Sequence, residues 1–102
     1  MAESKDWRNK LEPHLRNVKV ITSDLDQTKM AAAVEAAQLA MYEQPHRLFE
    51  QAKAIKDHFD KAYGPAWHVI VGENYASFVT HEFGTMVYFS VGSTNILVFK
   101  HL

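Results

Sequence analysis

The chain has 102 residues, contains no cysteine, and carries 11 Lys and Arg against 12 Asp and Glu, a formal net charge of -1. This length allows one domain but not two independent cores. The lack of cysteine excludes a disulfide framework, a cysteine zinc site and thiol catalysis. The balanced charge provides no basic field for sequence-independent binding of nucleic acid.

The hydrophobic residues exclude two further classes of protein, disordered chains and membrane-spanning chains. A hydrophobic fraction of 47% excludes a disordered chain, and no apolar run approaches the ~20 residues that span a bilayer. The polar N-terminus leads into no apolar signal-peptide core. We therefore expect one compact intracellular domain without a membrane span. A domain this small gains stability by burying further surface through self-association.

Residues 1–15 form a mixed lead-in, which we predict to be an N-terminal extension or linker in front of a single domain over residues 16–102. Trp7 and Leu11 are its apolar points and Pro13 interrupts it. This pattern is compatible with a short helix, an ordered arm or a remnant of cloning. The β-branched run Val18–Thr22 then predicts a short strand.

Two helices follow this strand. Ser23, Asp24 and Asp26 are N-cap candidates, and the next residues are good helix formers up to Pro45. The first apolar face comprises Met30, Val34, Ala37 and Met41. A second helix is predicted from about Arg47 to Tyr63, where Gly64 and Pro65 end it. Its apolar face comprises Leu48, Ala52, Ile55, Phe59 and Ala62.

Beyond residue 66 the hydrophobic period changes from 3.6 to 2, which predicts strands. Four are predicted, at Trp67–Val71, Tyr75–His81, Met86–Val91 and Ile96–Phe99. The element order is a short strand, two helices and four strands, with no βαβ alternation. This order predicts an α+β domain in which two helices pack against a four-stranded antiparallel sheet.

Residues that could support catalysis or bind a metal are few. The six histidines include no pair at the i,i+4 spacing of a helical zinc site. Ser77 and His81 lie four apart on one predicted strand, so roughly 13 Å separates them, too far for a nucleophile and its base. Asp24-Leu25-Asp26 resembles the opening of an EF-hand loop but lacks the Gly and the closing Glu. We therefore predict no catalytic residue, no metal site and no cofactor.

The predicted strand Tyr75–His81 carries substantial side chains on both faces. One face carries Tyr75, Ser77, Val79 and His81, and the other carries Phe78 and Thr80. A free edge of this kind pairs readily with another chain. A central strand of a monomeric sheet has the same composition, so the residues by themselves leave both interpretations open.

The second half of the chain carries a set of specific motifs at Phe59–Lys61, Trp67-His68, Ile70–Gly72, Val79–Glu82 and Tyr88-Phe89. In these motifs the chain resembles the small homodimeric dynein light chain family, whose members bind short linear motifs. The helices and the first strand match more loosely, with one extra residue near Pro45. The lead-in is additional to the usual family length.

This resemblance implies a homodimer in which the strand at Tyr75–Thr80 is exchanged with the partner's sheet. It also implies two grooves per dimer, where a linear peptide adds as one more strand, so that one dimer holds two chains together. The implied partners are a second copy of the chain and dynein intermediate chain or other proteins with short linear motifs. The implied location is the cytoplasm, in association with the cytoskeleton.

Carried over to this chain, the implied peptide-binding residues fall on three segments. The start of the second helix contributes Leu48 and Phe49, whose backbone N–H groups would cap a polar side chain of the peptide. The pairing edge comprises Asn74, Tyr75, Ala76, Ser77, Phe78, Val79, Thr80 and His81. The groove floor comprises Met86, Tyr88 and Ser90. The implied dimer interface comprises His68, Tyr75, Ser77, Phe78, Val79 and Thr80.

Protonation of His68 at the two-fold interface would bring two like charges together and favour monomers. The chain departs from the family pattern mainly within the groove. Met86 and Ser90 replace rings, Leu48 stands at a glutamate position, Glu73 replaces a basic residue, and Ala76 replaces a glycine. Because these changes lie mainly in the groove rather than in the dimer strand, we expect dimerisation to carry over more safely than motif specificity.

Two other interpretations remain open. The chain also resembles the light-chain-like domain of flatworm tegumental calcium-binding proteins, where it would serve dimerisation beside EF-hands with a degenerate peptide groove. A histidine-dependent hydrolase or metal enzyme is the third interpretation, which the spacing of the histidines disfavours.

Overall fold

The structure, a computed structural model, describes residues 7–73 and 82–101. Residues 7–9 are helical, and a 3-10 helix at Pro13–Arg16 follows them. The remaining elements are β1 (Val18–Ser23), α1 (Gln27–Glu43), α2 (Leu48–Tyr63), β2 (Trp67–Gly72), β3 (Met86–Val91) and β4 (Thr94–Lys100). The predicted strand Tyr75–His81 lies outside the described residues.

The predicted α+β class is confirmed, because two helices pack against a single antiparallel sheet. The described sheet has four strands in the order β1-β3-β4-β2. One of them is β1, which precedes the helices and pairs with β3, so that Val18 lies opposite Val91. The exchange of a strand across a dimer is a separate expectation that a single chain does not display.

The helix boundaries follow from local chemistry. The side chain of Asp26 caps α1 by accepting a hydrogen bond from the backbone N–H of Lys29 at 2.8 Å. Gln44 caps the other end of α1 just before Pro45. Helix α2 ends at Gly64, whose φ of 78° is accessible to glycine without strain.

The core lies between the helices and one face of the sheet. Helix α1 presents small side chains at Ala33, Ala37 and Ala40, which let it approach the sheet closely. Helix α2 contributes Phe59, whose ring meets that of Trp67 edge to face with centroids 4.9 Å apart. The sheet contributes the alternate residues of β3 and two neighbours from β4, namely Val87, Phe89, Val91, Ile96 and Val98.

The described part of the lead-in packs against the domain. Leu11 is 5% exposed, and Leu15 packs on the core. The backbone carbonyl of Leu15 accepts a hydrogen bond from Gln38 Nε2 at 3.0 Å, and the rings of Trp7 and Tyr42 lie 6.3 Å apart. The segment from residue 7 to residue 16 is thus held by apolar and polar contacts to α1.

Candidate functional site

The face of β3 that points away from the helices carries three of the predicted groove residues. Val87, Phe89 and Val91 are fully buried in the core, so the alternate residues Met86, Tyr88 and Ser90 lie on the opposite, outer face, where they are half-buried. Their cross-strand partners on β4 are Phe99, Leu97 and Asn95. The outer face of these two strands is therefore an apolar band, formed by the pairs Met86–Phe99 and Tyr88–Leu97. It becomes polar at the pair Ser90–Asn95.

Asp24 fixes the start of β3 beneath this band. Its backbone N–H donates to Met86 O at 2.9 Å, and its Oδ1 accepts a hydrogen bond from Met86 N at 2.8 Å. Its Oδ2 accepts a further hydrogen bond from Gly84 N at 3.0 Å. Asp24 thus joins the end of β1 to the loop before β3. The sequence offered Asp24 as an N-cap candidate and as part of an incomplete EF-hand loop, because nothing local indicates contacts sixty residues away.

His68 lies on the same outer face, at the edge formed by β2. Strand β2 pairs with β4, and no other described strand pairs with it. The imidazole of His68 is exposed, stacks on Phe99 with ring centroids 5.2 Å apart, and has Nε2 at 3.0 Å from His101 O. The structure therefore presents His68 at an accessible edge of the sheet.

Leu48 and Phe49 are the first two residues of α2, and both are exposed, Phe49 by 76%. Arg47, which precedes them, makes no side-chain hydrogen bond that caps the helix. Helix α2 packs on the core face of the sheet, whereas Met86, Tyr88 and Ser90 lie on the outer face. One chain by itself does not bring these two parts of the predicted groove onto one face.

Asp60 ties α2 to the start of β2. Its Oδ1 accepts the backbone N–H of Trp67 at 2.8 Å, and its Oδ2 pairs with Lys56 Nζ at 2.6 Å. Lys56 Nζ also donates to Trp67 O at 2.7 Å. Partial burial raises the pKa of Asp60, but these hydrogen bonds and the charge of Lys56 together outweigh it, so the pKa lies below its ordinary value.

The pKa of Asp26, which is an exposed residue, is also lowered. The hydrogen bond from the backbone N–H of Lys29 lowers the pKa of Asp26, and the charge of Lys29 adds to it. Asp26 caps the start of α1, and Asp60 joins α2 to the start of β2. Both carboxylates therefore have structural roles.

The other predicted residues of the pairing edge and dimer strand, Asn74 to His81, lie outside the described residues. Within residues 7–73 and 82–101, no group of three or more His, Asp or Glu side chains is arranged to hold a metal ion. Within the same ranges, no helix is long and apolar enough to cross a membrane.

Comparison with known proteins places this geometry in a family. Residues 17–101 match the family model described as dynein light chain type 1. The chain is 39% identical over 100 residues to the cytoplasmic dynein light chain of Emericella nidulans, covering 98% of each protein. It is 44% identical over 82 residues to dynein light chain 1, cytoplasmic, of Candida glabrata, covering 79% of this chain and 93% of the relative.

Solved structures show the same fold. The dynein light chain-like domain of the Fasciola hepatica calcium-binding protein FhCaBP2 superposes with a TM-score of 0.74 at 16% identity, covering 83% of this chain and 92% of that domain. The similar domain of CsTAL3 gives a TM-score of 0.67 at 15% identity, covering 88% and 95%. At these identities the likeness concerns the fold alone.

The names of the two fungal relatives are consistent with the cytoplasmic, cytoskeleton-associated location expected from the sequence. Their identities extend over most of both chains, and the family model spans every described element from β1 to β4. The chain therefore belongs to the dynein light chain family.

Proposed function

We propose that this protein is a homodimeric dynein light chain that binds short linear peptide motifs by strand addition, as a hub or as an accessory subunit of the dynein motor. Dynein light chains are accessory subunits rather than enzymes, and we propose the same non-enzymatic role here. The proposed partners are dynein intermediate chain or other proteins with such motifs. The light-chain domain would extend over residues 16–102, with residues 1–15 as an extension.

The observation that carries this proposal is the outer face of the sheet. A row of half-buried apolar side chains from β2, β3 and β4 faces away from the helices: Ile70, Met86, Tyr88 and Phe99. A contiguous apolar row on the outer face of a sheet favours association. A second copy of the chain supplies an equivalent face, as a two-fold interface requires.

The edge formed by β2 supports strand exchange. Among residues 7–73 and 82–101, β4 is the strand that pairs with β2, and His68 marks the outer side of the edge away from β4. An edge left in this state is a template for pairing. Exchange of residues 75–80 between two chains would cover it.

The peptide groove is proposed to need both chains. Leu48 and Phe49 begin a helix on the core face, while Met86, Tyr88 and Ser90 lie on the outer face. A second protomer can place the start of its own helix beside the outer face of the first. The uncapped first turn of α2 would then supply backbone N–H groups to a polar side chain of the peptide.

Sedimentation at neutral and at mildly acidic pH tests the dimer. We expect a dimer at neutral pH and a shift toward monomer on acidification, because protonation of His68 would bring two like charges together. His68→Lys is expected to be monomeric at neutral pH. His58→Lys, on the exposed side of α2, serves as the control that stays dimeric. A His68→Lys protein that remains a dimer would exclude this residue from the interface.

Titration with a short peptide that contains Thr-Gln-Thr tests the groove, with the same peptide carrying Ala at the Gln position as the control. We expect binding of the first peptide and weaker binding of the second, because only the Gln side chain can accept from the N–H groups at Leu48 and Phe49. An intact dimer that binds neither peptide would favour the alternative function, a dimerisation domain with a degenerate groove. The fold shared with the FhCaBP2 domain is the observation that keeps this alternative open.

A further inference from the structure

Strand β1 forms one edge of the described sheet, and a groove lies between it and α1. Strand β3 is the described strand that pairs with β1. The groove has a volume of about 340 Å³, and its walls are mainly apolar, with Val20 from β1 and Met30, Ala31 and Val34 from α1. A sheet edge beside an apolar helix face is a geometry in which an extended peptide can add as a further strand.

The backbone of β1 directs hydrogen-bonding groups away from β3 at two residues. Asn17 O accepts a hydrogen bond from Gly92 N at 2.9 Å, so this carbonyl points toward β3. Successive residues of an antiparallel strand point their N–H and C=O groups alternately toward and away from the partner. The groups of Lys19 therefore point toward β3, whereas those of Val18 and Val20 point away from it. No described strand lies on that side, and such an edge is a template for pairing.

The side chains of β1 alternate between the groove and the outer face of the sheet. Val18 packs on the core and Val20 lines the groove, so both face α1. Lys19, between them, points to the outer face, opposite Ser90 on β3. It is exposed, and no carboxylate of the described residues pairs with it. An added strand would therefore meet apolar side chains on one face and a positive charge on the other.

A second copy of the chain fits this edge poorly. Two β1 strands that pair about a two-fold axis through Lys19 would use all the outward-facing groups of Val18 and Val20. That register sets the two Lys19 side chains opposite each other in a non-hydrogen-bonded pair, where side chains are closest and like charges are destabilising. The register shift between Val20 and Thr22 is a bulge that also prevents a longer ladder. The edge thus disfavours its own copy and favours a strand of opposite charge.

We propose that the outer side of β1 binds a short extended segment of another protein, in which an acidic residue stands between two β-branched apolar residues. The segment would pair antiparallel with β1, with its apolar side chains against Val20, Met30 and Val34 and its carboxylate opposite Lys19. Because the bulge ends the paired stretch, we expect a Kd of about 0.1–1 mM. The contacting residues include none of the proposed peptide groove, and β1 lies at the opposite end of the described sheet from β2.

An NMR titration of the ¹⁵N-labelled full chain with the pentapeptide acetyl-Thr-Val-Glu-Val-Thr-amide tests the proposal. At about 5 mM peptide, a site with a Kd of about 1 mM is mostly filled. We expect the amide protons of Val18 and Val20 to become protected from exchange with solvent, because each gains an acceptor on the added strand. The amide of Lys19 points toward β3 and should keep its exchange rate. No added protection at Val18 and Val20 would overturn the proposal.

A charge swap separates this pairing from non-specific contact. Acetyl-Thr-Val-Lys-Val-Thr-amide is expected to bind the parent chain at least about threefold more weakly, because a cross-strand pair of opposite charges becomes a pair of like charges. Lys19→Glu should reverse the preference between the two peptides. Lys61→Glu, at another exposed lysine in the last turn of α2, is the matched control and should leave the preference unchanged. Equal binding of both peptides, or a preference that Lys19→Glu does not alter, would contradict the assignment.

Two further measurements distinguish other modes of binding. If a second copy occupied the edge, Val18 and Val20 would gain protection without peptide as the protein concentration rises, and sedimentation would show larger species. That result would overturn the proposal. Titration with the pentapeptide in the presence of saturating Thr-Gln-Thr peptide tests whether the two sites are separate. We expect the same Kd with and without the second peptide, and competition would place the pentapeptide in the peptide groove instead of at β1.

Discussion

Asp24 is the residue whose side chain does most to position the predicted groove floor. Its carboxylate accepts hydrogen bonds from the backbone N–H groups of Gly84 and Met86. Met86 is the first floor residue, so the position of its side chain depends on a contact made at the far end of β1. The same contact limits how far the loop before β3 can move.

Asp24→Ala is expected to lower the free energy of unfolding by about 1–2 kcal/mol, because two backbone donors lose their acceptor at a partly exposed site. Urea unfolding measures this loss. Asp57→Ala is the matched control, since the carboxylate of Asp57 pairs with Lys53 across one turn of an exposed helix, and its removal should cost less than about 0.5 kcal/mol. Equal effects of the two substitutions would show that the Asp24 contacts carry no net stability.

The lowered pKa of Asp60 predicts that the folded chain loses stability in acid. Its pKa is lower in the folded chain than in the unfolded one, so the unfolded chain binds the proton more tightly. The stabilisation is fully present above the ordinary carboxylate pKa, from about pH 5 upward, and is lost as the pH falls through the folded pKa.

Urea unfolding between pH 7 and pH 3 measures this dependence. Asp60→Asn should be less stable than the parent chain at pH 7 and should lose less stability on acidification, with the two proteins converging toward pH 3. Asp26 contributes with the same sign, so a residual slope is expected in Asp60→Asn. Parallel curves for parent and variant would show that Asp60 titrates alike in the folded and unfolded chains.

The turn between β3 and β4 is the element that meets the lead-in. Gly92 has a φ of 60°, and a Cβ placed there would lie 2.9 Å from His14 O and 3.2 Å from His14 Cδ2. Gly84 also has a positive φ, of 76°, but among the described residues a Cβ there meets Asp24 O at an ordinary 3.8 Å and nothing nearer. The two glycines therefore differ in crowding.

Gly92→Ala is expected to destabilise the chain more than Gly84→Ala does. Both variants strain the backbone by about 1 kcal/mol, but only Gly92→Ala must also push the lead-in away. Chemical denaturation gives the difference in stability, and the fluorescence of Trp7, which lies beside Tyr42, reports movement of the lead-in. A larger loss for Gly84→Ala would mean that the contact with His14 yields at little cost.

The sequence predicted well those helices and strands whose limits depend on residues close together in the chain. Both helices and the strands at Trp67, Met86 and Ile96 appear within a few residues of their expected limits, because periodicity and the breakers Pro45, Gly64 and Pro65 act over one or two turns. Alternation along β3 also placed Met86, Tyr88 and Ser90 on one face.

The features that the sequence did not predict arise from contacts distant in the chain. The packing of Leu11 and Leu15 on the domain, the two hydrogen bonds of Asp24 and the buried, unpartnered amide oxygen of Gln51 all depend on which segments meet in space. No local pattern in residues 7–16 indicates that this segment packs against α1. Gln51 follows the apolar Leu48 by three positions and reads from the sequence as an ordinary polar helix residue.

At the scale of the whole molecule, the lead-in contributes to stability although the family model begins at residue 17. Within the lead-in, Leu11 is buried and Leu15 packs on the core. A chain shortened by this segment would expose the part of the core on which Leu15 packs.

Deletion of residues 1–16 is expected to lower the free energy of unfolding by about 3 kcal/mol, because full burial of one leucine contributes about 1.5–3 kcal/mol. The midpoint of urea unfolding measures this at fixed protein concentration. Leu11→Ala in the full chain should account for about half or more of the loss, while Leu48→Ala, at a 45% exposed position, should have a small effect. An unchanged midpoint in the deletion would show that the lead-in rests on the domain without stabilising it.

The order of strands in the sheet governs how the chain can be assembled during synthesis. Strand β1 leaves the ribosome early, yet the residue opposite Val18 is Val91, roughly seventy positions later. Strand β1 therefore cannot pair with β3 until almost the whole polypeptide is made. The two helices that follow β1 must form before the sheet is complete. Pairings between such remote segments close large loops, which slows folding. A nascent chain stalled before residue 86 should hold helices but none of the strand pairs described here, each of which needs β3 or β4.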